Sequence, residues 1–184
     1  RGRQDDYLMA ATSVVAPESP LNLIDHLERR RREPGHEVAL DLLDDAALEQ
    51  WFGRIDGWAD CADFDVLRLL TLWFGYREEL PADLCSAIEG RLIRFRYWYT
   101  DPAPEDVVDQ RWYWSENHRL IFHTCEHLAG QALPGERFAA TGMTGDAHRE
   151  RAAERLHAWF DEKQRDGFSE WHSDSYYEKD LAPL

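Results

Sequence analysis

Paired cysteines, long apolar runs and a basic excess are all missing from this sequence of 184 residues. Its three cysteines, Cys61, Cys85 and Cys125, lie far apart with no Cys-x-x-Cys pair. That spacing excludes a disulfide framework and a cysteine zinc site, and leaves buried free thiols as the expectation. No apolar stretch approaches the roughly 20 residues a helix needs to span a bilayer, so no membrane partner is expected. Acidic residues outnumber basic ones, 36 to 21, for a formal charge of −15. A chain so charged repels phosphate backbones and anionic membrane surfaces, which excludes nucleic acid as a partner. Free cysteines and the lack of a basic-then-apolar leader lean towards the cytoplasm. The chain opens at Arg1 without an initiator Met and closes at Leu184 on what reads as the first turns of a helix. It is therefore expected to be a piece of something longer, with the rest of that chain or another subunit as its neighbour.

Also missing is any sustained apolar/polar alternation bounded by hairpin turns, so no sheet is expected. What is present is helical periodicity in a composition with 43% hydrophobic residues and eight Trp. Residues 1–19 form an irregular lead-in and residues 20–184 a helical domain. Ser19-Pro20 opens the first helix, with Leu21, Ile24 and Leu27 on its stripe. A second helix, from about Asp44 or Asp45 to Asp56, carries Leu48, Trp51, Phe52 and Ile55. The third, Asp63 to Tyr76, carries Phe64, Leu67, Leu70 and Phe74. Leu80-Pro81 then turns the chain into a fourth helix with Leu84, Ile88, Leu92 and Phe95, an antiparallel αα-hairpin. After a loop from Thr100 to Gln110, the fifth helix begins near Ser115, with that serine as its cap, and runs to Leu133. The sixth runs from about Gly145 to Arg165 and a seventh starts near Ser173. The fold class is all-α, antiparallel helix hairpins forming an incomplete part of a larger (α/α) toroid, since no strict repeat period points to a solenoid.

Two stretches combine aromatic and polar residues where a loop enters a helix. Arg111-Trp112-Tyr113-Trp114-Ser115-Glu116-Asn117-His118-Arg119 suits a sugar site, because aromatic faces stack on pyranose rings while Asn and His donate or exchange protons. Gly167-Phe168-Ser169-Glu170-Trp171-His172-Ser173-Asp174-Ser175-Tyr176-Tyr177 is the other, and a tyrosine there needs nearby cations or donors to work as an acid or base. Together with Tyr97-Trp98, Leu128-Ala129-Gly130-Gln131 and Leu181-Ala182-Pro183-Leu184, these stretches resemble a family of large, mostly uncharacterised bacterial proteins. More distantly they are similar to the α/α-toroid polysaccharide lyases of the alginate lyase and heparinase type.

That resemblance implies an oligo- or polysaccharide substrate and β-elimination without a cofactor. Asn117 would mask the uronate carboxylate, His118 or a tyrosine would take the C5 proton, and Tyr176 or Tyr177 would protonate the leaving oxygen. Trp112, Trp114, Glu116, Arg119, Glu170, Trp171 and His172 would bind substrate. One of the two tyrosine hydroxyls should then lie within about 10 Å of the His118 ring. Two alternatives stand beside this reading. The same residues can fasten loops to helix ends in a non-catalytic scaffold or interaction domain. His123-Thr124-Cys125-Glu126-His127 matches the His-x-x-Glu-His pattern of a metal-dependent hydrolase. No third ligand is apparent, so no shared metal is expected there. Arg29 to Arg32 is expected to complement a helix C-terminus, and Arg149, Glu150, Arg151, Glu154 and Arg155 to form a solvated charged face.

Overall fold

The computed structural model describes residues 19–33, 35–40, 45–169 and Pro183. Among these residues the protein is all-helical: α1 (Pro20–Arg32), α2 (Asp45–Asp56), α3 (Ala62–Tyr76), a 3-10 turn (Arg77–Glu79), α4 (Ala82–Arg94), α5 (Glu116–Ala132) and α6 (Gly145–Asp166). An isolated antiparallel bridge joins Arg137 and Thr144. No helix is long and apolar enough to cross a membrane among these residues. Most of the lead-in and the seventh helix lie outside the described residues.

The chemistry of the helix ends explains most boundaries. Ser19 is extended and accepts a hydrogen bond from the Asn22 backbone N–H at 3.1 Å, with Pro20 in the first turn, which satisfies one of the orphan donors there. The arginines of the last turn do more than face the dipole. Arg30 and Arg31 both bond Glu79, Arg31 at 2.7 Å, and the Arg31 guanidinium lies 4.2 Å above the Tyr76 ring. The basic run thus clamps α1 to the far end of α3. At Ser115 the expected cap is absent: its hydroxyl donates to Asn117 Oδ1 and makes no capping bond.

Helix α3 is the hub, in contact with α1, α2, α4 and α5. Ala62, Val66, Leu69, Leu70, Leu72, Trp73 and Tyr76 are all buried on it. Leu67 and Phe64 are only partly buried, and Phe74, expected in the core, is 48% exposed. The reason is that α3 is apolar nearly all round, as a helix with four neighbours must be, so one stripe could not fix its phase. The first helix shows the same slip. Leu23 and Leu27 are its fully buried pair, while Leu21 is 48% exposed. Ile88, Leu92, Leu120 and Ile121 are buried as their periodicity requires, with Leu128 and Leu156 half-buried. Fully burying a Leu or Phe side chain contributes ~1.5–3 kcal/mol.

The pairing of α5 with α6 rests on two glycines. A Cβ on Gly130 would sit 2.3 Å from the Gly145 carbonyl oxygen, and one on Gly145 would sit 2.0 Å from that of Leu133. Only backbone fits at this crossing. Between the helices runs a polar network. The fully buried Glu126 carboxylate accepts from His148 Nδ1 at 2.7 Å, Arg151 Nε at 2.7 Å and Arg155 Nη1 at 2.9 Å, and Arg151 also holds Asp101 through two bonds. Arg151 and Arg155 were expected on a solvated face. They turn inward instead, because a buried carboxylate demands cations.

Candidate functional site

The first turns of α3 and α5 meet at His118. The chain enters α3 through a turn in which two non-glycine residues, Trp58 and Cys61, have positive φ of 55° and 61°. Each left-handed residue costs ~1–2 kcal/mol, and such strain concentrates at working sites. The turn places Cys61 at the cap of α3 and Asp63 in its first turn. Asp63 is fully buried, and its Oδ2 lies 2.7 Å from His118 Nδ1 in the first turn of α5. Burial raises the Asp63 pKa, and the bond and charge of His118 oppose that rise. Phe64 meets the imidazole edge-on, with ring centroids 5.3 Å apart. The ring is therefore held by a carboxylate on one side and an aromatic wall on another.

Cys61 and Asp60 complete the surroundings. One donor atom from each of Asp60, Cys61 and His118 lies within 4.8 Å of the others. Thiol, carboxylate and imidazole form a zinc-type donor set, and a histidine whose other nitrogen meets a carboxylate is the usual arrangement around such an ion. Against this, Asp60 Oδ1 already accepts the Cys61 backbone N–H at 2.9 Å. Burial, with the charges of Asp60 and Asp63, pushes the Cys61 thiol up. Cys61 and Cys85 are half-buried, and only Cys125 of the three free thiols is buried.

The remaining expected site residues divide. Asn117 is buried beside His118 and bonded to Ser115. Glu116 turns the other way. It takes Lys163 and the Ser169 backbone N–H, the latter at 2.8 and 2.9 Å, so it anchors the end of α6. Arg119 also faces α6, in a two-bond pair with Glu162 at 3.0 and 2.8 Å. That pair, with Lys163, brings the Glu162 pKa down to about 2. Trp112 and Trp114 are each 54% exposed, and Trp114 packs on Tyr99 with centroids 4.4 Å apart. They offer open aromatic surface just before α5. Glu170, Trp171, His172, Tyr176 and Tyr177 lie outside the described residues.

The His-x-x-Glu-His residues serve separate purposes. His123 lies against Trp98, ring centroids 4.4 Å apart. Burial, reinforced by the cations of Arg155, Arg119 and Arg151, drives its pKa down to about 3. His127 Nδ1 meets the Arg149 carbonyl oxygen at 3.2 Å, and Glu126 is occupied by the α5–α6 network.

Sequence reasoning singled out His118 as a candidate and did not bring Asp63, Cys61 or Asp60 to it. Asp63 stands 55 residues before His118, and no spacing rule links positions so far apart. Comparison of the chain with protein-family models, with curated proteins and with solved structures finds no match.

Proposed function

We propose that this chain is the catalytic part of an acid–base enzyme acting on carbohydrate, with His118 as the proton-transferring group, inside a larger α/α toroid of the polysaccharide lyase kind. The observation that carries the reading is the Asp63–His118 contact at 2.7 Å, a fully buried carboxylate aligned on an imidazole nitrogen. A carboxylate there holds the proton on Nδ1, fixes the tautomer, and leaves Nε2 as the working nitrogen. General base catalysis from such a positioned histidine contributes typically ~10²–10⁴-fold in rate.

In β-elimination, His118 would take the C5 proton of a uronate. The C5–H electron pair becomes the C4–C5 double bond, the C4–oxygen bond breaks, and the departing oxygen takes a proton from Tyr176 or Tyr177. Asn117 keeps its amide hydrogens for the substrate carboxylate, because the bond with Ser115 uses only its Oδ1. Exposed Trp112 and Trp114 rings supply a stacking surface for sugar faces.

A second reading, a non-catalytic scaffold, draws on Glu116 and Arg119. Both fasten α5 to α6. The experiment is to incubate the protein with a panel of uronate-containing and neutral polysaccharides and follow the ultraviolet absorbance of the new double bond. Product from a uronate polymer, lost in His118→Gln with the fold intact, fits the enzyme reading. Absence of product across the panel favours the scaffold.

A further inference from the structure

On the other side of the strained turn lies a cavity of about 690 Å³, within the size range of small-molecule sites. Trp58 lines it, whereas Cys61 and His118 do not. Its walls carry four arginines, Arg91, Arg94, Arg96 and Arg111, on a chain whose net charge is −15. Two carboxylates answer them. Asp56 pairs with Arg91 at 2.8 Å, and Asp109 serves both Arg96 and Arg111 at 2.7 Å. Among the described residues no carboxylate pairs with Arg94, whose guanidinium lies over Gly90, 3.1 Å from where a Cβ would be. Two positive charges are therefore left over at the cavity. The C-terminal end of α4 offsets roughly half a charge and no more.

Three of the four cations are held by separate means, so the cluster does not depend on one flexible loop. Arg111 is buried, and its guanidinium lies 4.3 Å from the Trp58 ring centroid and 4.9 Å from that of Phe95. Arg96 bonds the Asp101 carbonyl oxygen at 2.7 Å. Arg91 bonds the Ala87 carbonyl oxygen at 3.1 Å and covers the Phe52 ring. Arg91 and Arg111 already give two bonds each to Asp56 and Asp109, so among the described residues Arg94 is the planar guanidinium open to take a carboxylate or phosphate in two-bond geometry. The cations at the cavity repel one another, so an anion bound among them is favoured.

We infer that this cavity binds a sugar-sized molecule carrying two negative charges, as a phosphate ester or a pair of carboxylates, with Arg94 as the cation left open for it. The inference stands apart from the acid–base reading of His118, since the two sites share no side chain. Isothermal titration calorimetry of the protein against glucose 6-phosphate, digalacturonate, inorganic phosphate and neutral glucose tests it. At least one of the dianionic probes is expected to bind saturably, more weakly as salt rises, and glucose is not. Arg94→Gln should weaken that binding about 10-fold or more, the loss of one charge-assisted bond. Arg165→Gln, at an exposed pair with Asp166, should leave it unchanged. Which probe binds identifies the phosphate or carboxylate source. Failure of all three anions, equal binding of glucose, or unchanged affinity in Arg94→Gln overturns the inference.

Discussion

Replacing Glu126 by Gln keeps its shape and removes only its charge. The carboxylate is fully buried and receives His148, Arg151 and Arg155. Arg151 would still hold Asp101 through its bonds of 2.7 and 2.9 Å, but Arg155 has no second carboxylate among the described residues. Breaking a buried pair from one side typically costs ~3–5 kcal/mol. Arg151 and Arg155 are 22% and 24% exposed, so water can partly relieve them, and the lower end, ~3 kcal/mol, applies. In a chain of this size each kcal/mol shifts the melting temperature by about 2–4 °C, which predicts a fall of about 6–12 °C. Thermal and urea unfolding followed by circular dichroism measures it. Glu162→Gln, at the surface pair with Arg119, should lose at most ~1 kcal/mol. If Glu126→Gln also loses less than ~1 kcal/mol, the network does not hold α5 to α6 and the reasoning fails.

His123 should make the fold acid-sensitive. Its folded pKa of about 3 lies below the ordinary 6.5, so the unfolded chain binds this proton first and stability falls as the pH drops from about 6.5 towards 3. The loss is bounded by ~4–5 kcal/mol. His123→Phe, which keeps a ring against Trp98, should flatten that part of the pH–stability curve, and an unchanged curve would contradict the assignment. Two glycines should respond with opposite signs. Gly130→Ala drives a methyl into the Gly145 carbonyl and should destabilise by ~1–3 kcal/mol. Gly75→Ala, in open space on α3, should stabilise by ~0.4–1 kcal/mol. Urea midpoints of the two variants check both directions.

How much of this was legible in the sequence depends on the range of the cause. Ser19-Pro20 and the break at Leu80-Pro81 act within a few residues, so the start of α1 and the turn before α4 could be read directly. Which face of α3 is outermost could not. Phe64, Leu67 and Phe74 make as good a helical stripe as Val66, Leu69 and Trp73, and only the positions of four neighbouring helices decide between them. At the site, His118 stood out because its own segment is dense in chemistry. Asp63 did not, because an acid in a first helical turn has an ordinary local purpose, and its bond to His118 is made by the meeting of two helices. Arg151 and Arg155 were misplaced for the same reason. Alternating charge on α6 reads as a wet surface until the fold brings Glu126 beneath it.

Proton transfer by His118 under the direction of Asp63, as proposed above, is tested most directly by the initial rate of double-bond formation from a uronate polymer, measured for the protein and for Asp63→Asn and His118→Gln across the pH range. His118→Gln should abolish turnover. Asp63→Asn, which deprives the ring of its carboxylate, should lower kcat by about 10²-fold or more with little change in KM. Circular dichroism should be unchanged in both variants. Turnover that survives His118→Gln, or an Asp63→Asn variant as active as the parent, would rule out this role for His118.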